Sequence, residues 1–451
     1  MSREGSTQES EPIFGKADLV RVFENGAKPR FRYAIGIESE KVGVDLTTGH
    51  AVPFDGPNGI ETILIELSAR FGWEKVLDRG RVIALNRNAT AITLEPGGQL
   101  ELSSRPHPTL DDVAREREEH IVELCDVSTP LNIGWLNLGL QPVTPIDRIP
   151  WVPKSRYRVM REYYEKRPGL ALHMMRLTAS VQGNFDYESE ADARRKIHVG
   201  AALGPIVGAM FANGAIEEGV LNGYCSRRLR IWRETDADRC GIPDFYVDGT
   251  FSFEKYADYV LDIPMYFILR NGEYVDYTGK TFRQFLEGKG EKEKALRRDW
   301  DLHLTTLFPD VRLKNYLELR TADAQDPLGA MALMAFWTGI LYDEEALGMA
   351  FDRVGRFTRE QLGAAMDDAA LQGLQAGIAY EPILHVARDV VGIAVIGLSR
   401  LDRVNGRHDI RYLDPLRDLI DRGLSPAEEL RKTWNGKIGR LLPSACLHEA
   451  S

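Results

Sequence analysis

A single hairpin narrows the possible folds of this chain more than any other feature: Leu94-Glu95-Pro96-Gly97-Gly98-Gln99-Leu100-Glu101-Leu102-Ser103-Ser104. Alternate side chains of a strand face opposite ways, so Leu100 and Leu102 share one face while Gln99, Glu101 and Ser103 share the other. With a three-residue Pro96-Gly97-Gly98 loop, Glu95 pairs with Gln99 and joins the polar face. With a two-glycine turn, Glu95 pairs with Leu100 and points away from Glu101. Taken alone, the hairpin also fits a sheet edge with one solvated face.

The pattern recurs. In Ala34-Ile35-Gly36-Ile37-Glu38-Ser39-Glu40 the isoleucines alternate with Gly36, Glu38 and Glu40. In the segment from Ser180 to Asp186, Gln182, Asn184 and Asp186 stand opposite Val181 and Phe185. Between Val311 and Arg320, read as one strand, Arg312, Lys314, Tyr316, Glu318 and Arg320 point the same way. Glutamate is depleted in strands, so repeated Glu-x-Glu and Glu-x-Arg call for a cause. Converging carboxylates repel unless a cation lies between them, and hard oxygen donors suit Mg²⁺ or Mn²⁺. Basic groups on the Glu318 face could neutralise a polyphosphate bridged to such metals. A glycoside hydrolase acid–base pair is a rival reading, but it leaves Arg312, Lys314 and Arg320 without a role. A structural ion-pair network is another. The sequence has no P-loop, dinucleotide fingerprint or HExxH motif.

The 451 residues, 43% hydrophobic and 27% charged, are those of a globular chain with a substantial core. A net charge of -10 argues against a general nucleic-acid binder. The first thirty residues hold no apolar segment of secretory type. The longest apolar run, 328–342, is too short to span a bilayer. Four scattered cysteines without CxxC spacing suggest a reduced, cytoplasmic protein. Helices are predicted over 58–71, 110–127 and 154–166, and a strand over 178–186. A long helix from Glu190 is capped by Ser189, with Asp192 as box partner and a kink at Pro205. The fold class expected is α+β: a largely antiparallel sheet forming a cup, helices on its outer face and a helical C-terminal layer. Residues 1–13 read as a flexible tail, 14–451 as one domain, and 327–451 as mostly helical.

Long blocks of the sequence resemble the plant-type glutamate–cysteine ligases, a family shared by plants and many bacteria. They include GIESEK, TLEPGGQLELSS, SEADARRK after the Gln-x-Asn-x-Asp strand, PIVGAMFAN, NGYCSRRLRIW, TDADR, WDLHLTTLFPDVRLKNYLELR and SPAEELRKTWNG, in family order from Gly36 to about Gly436. The resemblance implies an active-site sheet related to glutamine synthetase. It also implies ATP-dependent joining of cysteine to the γ-carboxylate of glutamate, with two or more Mg²⁺ ions and Mn²⁺ as an alternative. Glu38, Glu40, Glu95, Glu101 and Glu318 are then the expected metal ligands. Gln182, Asn184, Arg228 and Trp232 are expected to face substrate, Arg312, Lys314 and Arg320 the nucleotide. Arg239 and Arg320 are the expected catalytic residues.

The expected partners are glutamate, cysteine and ATP, with no nucleic acid and no membrane, in a monomer or homodimer. Departures from the family pattern occur at Ser103-Ser104-Arg105-Pro106, at Ala179 and at Thr321-Ala322-Asp323-Ala324-Gln325. They leave open a sister ligase using another amine; an inactive glutamate or nucleotide sensor is the remaining alternative. The regulatory cysteines of plant enzymes are missing from 277–292 and from Met331, so disulfide control by that route is not expected. Cys225 and Cys240 read as buried thiols. His303 reads as a structural histidine, and Met174-Met175 as core packing.

Overall fold

The computed structural model describes residues 11–288 and 293–437. Its centre is a nine-stranded sheet of β1 (Ile35–Asp45), β2 (Glu74–Asp78), β3 (Arg81–Arg87), β4 (Thr90–Leu94), β5 (Leu100–Ser103), β6 (Ile133–Leu136), β7 (Val181–Phe185), β8 (Val311–Leu313) and β9 (Leu317–Leu319). The strand order is β8-β9-β7-β1-β5-β4-β3-β2, with β6 pairing the far half of β1. Among the described residues its ladders are antiparallel. The α+β expectation is borne out.

Alternation sends Ile35, Ile37, Val181, Phe185, Leu317 and Leu319 to one face, where they are buried. Two helices cover that face. Glu190–Met210 comes so close that a Cβ on Gly200 would lie 2.7 Å from Leu319 Cδ1. Pro327–Tyr342 packs on β7, where Met334 Cε would be 2.9 Å from a Cβ on Gly183. Under β3–β5 the helix Ile60–Phe71 buries Ile60, Ile63, Leu64 and Leu67, the spacing of one helical face. One buried cluster runs from Ile13 to Ile420, so the sheet and the C-terminal helices share a core.

The predicted helices appear as Ile60–Phe71, Leu110–Ser128 and Ser155–Tyr164, and the strand as Val181–Phe185. Ser189 Oγ accepts from Asp192 N at 3.2 Å as expected. The Asp192 carboxylate, however, accepts from Glu188 N at 3.0 Å rather than completing a box. The helix runs on through Pro205 to Met210. The segment from Val311 to Arg320 is not one strand but a hairpin, β8–β9, turning at Lys314-Asn315-Tyr316. Arg312 consequently lies directly opposite Glu318 instead of six residues along from it. Of the expected tail, residues 1–10 lie outside the described residues, but Ile13 is docked: it is buried, and its N–H donates to Ala295 O at 3.1 Å. Residues 438–451, with Cys446, also lie outside them.

Candidate active site

The hairpin takes the three-residue loop. Leu94 pairs with Leu100, Glu95 N donates to Gln99 O at 2.8 Å, and Gly98 N donates to Glu95 O at 2.9 Å. Gly98 sits at φ +89°, where a side chain is strained. Glu95 thereby joins Glu101, and Glu101 pairs across to Glu40 on β1. Carboxylate oxygens of Glu40, Glu95 and Glu101 all lie within 4.8 Å of one another.

These three glutamates form the floor of a cavity of about 880 Å³. Burial, followed by Glu38, Glu95 and Glu40, pushes the Glu101 carboxyl well above its ordinary range. Burial and Glu95 raise Glu40 to about 8, against the opposing pull of Arg228. Neutral donors complete the lining: Ser180 N donates to Glu40 at 2.6 Å and Ser103 Oγ to Glu101 at 2.9 Å. Three converging carboxylates, with hard oxygen donors and, among the described residues, no ammonium or guanidinium bonded to them, fit a divalent cation of the Mg²⁺ type.

Glu318 behaves differently. It is fully buried and does not line the cavity. Arg312 reaches it at 2.6 Å, Lys314 at 2.7 Å, and Arg320 also bonds to it. Burial alone would raise its carboxyl, but these three cations hold it well below the usual range. The expected set of five glutamates thus divides: a cavity triad, a cation-neutralised Glu318, and Glu38, which lines the cavity and accepts from Asn184 Nδ2 at 3.2 Å. Lys314 is likewise outside the lining, its ammonium spent on Glu318.

Arg320 does reach the cavity. It donates to Gln182 Oε1 at 2.6 Å and lies 5.6 Å from the Trp232 ring centroid. Arg228 lines the same wall, held by the Arg320 and Thr321 carbonyls at 2.9 and 3.3 Å. Arg239 does not belong here. It is fully buried away from the cavity, stacked 3.8 Å from the Tyr266 ring centroid, and it bonds to Asp236, Thr306 O and Pro264 O. The motif around it fixes a structural guanidinium, so the catalytic expectation for Arg239 is corrected. His303 is structural as expected, with Nε2 3.1 Å from Val260 O. Met174 and Met175 are buried, as core residues would be, and also line the cavity.

Register gives the cup two ends along its strands. Gly36 pairs with Asn184, and Asn86 with Ala91, at the end shared by Lys28, Asn315 and Tyr316. Glu40 pairs with Glu101, and Glu101 with Thr93, toward the other end, where Glu95, Trp232 and Met174 lie. That second end also contains Lys154, Arg156, Tyr157 and Phe308, which the sequence analysis missed. Lys154 fell at the start of a predicted helix, where a lysine reads as solvated. The departures from the family pattern separate in space. Ser103, Ser104 and Pro106 line the cavity, whereas Ala179, Asp323 and Gln325 are buried in the scaffold.

The sequence from 34 to 444 matches glutamate–cysteine ligase family 2. The chain belongs to this family. A Brassica juncea relative named glutamate–cysteine ligase, chloroplastic, is 40% identical over 434 residues, covering 96% of this chain and 83% of its own. The Arabidopsis thaliana protein of that name is 40% identical over 436 residues, covering 96% and 82%. A Francisella tularensis glutamate–cysteine ligase solved in complex with AMP shares the fold at a TM-score of 0.55 and 15% identity, covering 93% of this chain and 89% of that one. The cytoplasmic expectation is corrected by these findings, because the family relatives from plants are named chloroplastic. Among the described residues no helix is long and apolar enough to cross a membrane.

Proposed function

We infer that this chain is an ATP-dependent ligase that joins the γ-carboxylate of glutamate to the amine of cysteine. The observation that carries the reading is the convergence of Glu40, Glu95 and Glu101 beside the Arg320–Gln182 pair, in a chain of this family. Glu40, Glu95 and Glu101 would hold one Mg²⁺, and Glu38, which lines the same cavity, is the candidate ligand of a second. Bound there, the metal would supply positive charge against the nucleotide and an anionic acceptor.

The chain's own residues supply the rest. Arg320, bonded through one nitrogen to both Glu318 and Gln182, offers a guanidinium where a transferring phosphoryl group would gather charge. Arg312 and Lys314 act one step back: they keep Glu318 ionised, and so keep Arg320 oriented. Arg228 and Trp232 line the wall on which glutamate would lie, with Gln182 and Asn184 as neutral donors. In the reaction a γ-carboxylate oxygen attacks the terminal phosphorus and ADP leaves. The amine nitrogen then attacks the acyl carbon, and phosphate departs carrying that oxygen. No protein nucleophile is needed.

ADP release from Mg²⁺-ATP, measured with glutamate alone and with glutamate plus cysteine, tests this. Release that requires glutamate and is accelerated by cysteine supports the reading. Acceleration by another amine and not by cysteine assigns the chain to a sister ligase; release indifferent to glutamate overturns the activity.

A further inference from the structure

Under the ligase reading two amino acids must meet in the cup, and each brings an α-carboxylate. Two cationic walls face its Glu40 end. Arg228 and Arg320 form one, beside Trp232. Lys154 lies over the other, beside Tyr157 and Met160. Val152 N donates to Pro96 O at 2.9 Å, Lys154 N donates to Val152 O at 2.9 Å, and Tyr157 OH donates to Leu94 O at 2.6 Å. These bonds tie the segment carrying Lys154 to the same hairpin that carries Glu95.

Lys154 is 6% exposed, and its ammonium has neither a carboxylate nor a carbonyl partner among the described residues. Its Nζ lies 5.5 Å from the centroid of the Tyr157 ring. The other lysine of the cavity is already paired: Lys28 reaches Asp186 at 2.6 Å. Arg312 and Arg320 are engaged with Glu318. A buried ammonium without an anion is costly, and one facing a cavity is suited to an anionic ligand. The surfaces beside it, Met160, Met174 and Met175, are soft and apolar, matched to a small thiol rather than to a second carboxylate.

Resting on the ligase reading above, we propose that Lys154 binds the α-carboxylate of the amine substrate and sets the preference for an amino acid over a simple amine. The amine substrate then spans the hairpin wall, its carboxylate on Lys154 and its side chain on the methionines. Its nitrogen is left free to turn toward the acyl group above Glu40, Glu95 and Glu101.

The test compares cysteine with cysteamine, which keeps the thiol and amine and lacks the carboxylate, in wild type and Lys154→Met. A charged hydrogen bond of this kind corresponds to roughly 10- to 100-fold in kcat/KM. Lys154→Met should lose that factor with cysteine and change less than about 3-fold with cysteamine. KM for glutamate and ATP should hold, and Lys154→Arg should recover part of the loss. Equal losses with both amines, or a rise confined to glutamate or ATP, would overturn the assignment. If wild type uses another amino acid in place of cysteine, the cysteine reading fails. The comparison of that acid with its decarboxylated form then judges Lys154 separately. An unchanged melting temperature confirms that the variant is folded.

Discussion

Glu101 is buried among Glu38, Glu40 and Glu95, which together push its carboxyl well above the ordinary range, and this makes its removal informative. Glu101→Gln keeps size and hydrogen bonding while deleting one anion. The variant should retain the metal-free melting temperature or exceed it, and lose nearly all ligase turnover. Glu40 adds a pH signature. Its folded-state value is raised from 4.5 to about 8. Between those values the folded state keeps a proton that the unfolded state releases, so stability falls as pH rises. Glu40→Gln removes that slope. Without metal, the variant's melting temperature minus that of wild type should grow from pH 5 to 8 and level off above. The difference cancels the titrating groups that do not interact with Glu40, so a flat profile would count against a buried, repelled Glu40. Arg320→Ala should cost on the order of 100-fold in kcat, with partial rescue by Arg320→Lys. Glu318 keeps Arg312 and Lys314 in that variant, so the melting temperature should move little. Near-normal turnover would return Arg320 to a purely structural role.

The catalytic hairpin depends on a close approach at its turn. A Cβ on Gly97 would stand 2.2 Å from Arg176 O and 2.7 Å from Arg176 Cα, both backbone atoms that cannot step aside cheaply. Gly97→Ala should cost about 1–3 kcal/mol by overpacking, read by urea denaturation. It should also raise the Mg²⁺ concentration needed for half-maximal activity, since Glu95 and Glu101 flank the turn. This element was legible in part: alternation placed Glu101, but the face of Glu95 hung on a loop length that the alternation left open and the Leu94–Leu100 pairing decides. The β8–β9 hairpin was not. Lys314-Asn315-Tyr316 contains no glycine or proline, and its even-numbered residues keep an unbroken strand-like alternation. The period alone could not reveal a reversal that happens to preserve it.

At the scale of the molecule, the pattern of apolar residues was enough to read an α+β sheet backed by helices, because each strand shows one apolar and one polar face. What it could not supply was the depth of each polar group. Arg239 and Arg320 look alike in sequence, both arginines near acids in family motifs. Only packing shows one stacked on Tyr266 and the other opening into the cavity. Lys154 was invisible for the converse reason, since burial of a loop lysine depends on a hairpin some sixty residues earlier. The central claim is that this cup passes phosphate to the γ-carboxylate of glutamate before the amine attacks. Glutamate labelled with ¹⁸O in that carboxylate tests it most directly, with mass analysis of the phosphate formed in the presence of ATP and cysteine. The account predicts ¹⁸O in the released phosphate, because the attacking oxygen leaves with it. Phosphate free of label, formed alongside ADP, would contradict it.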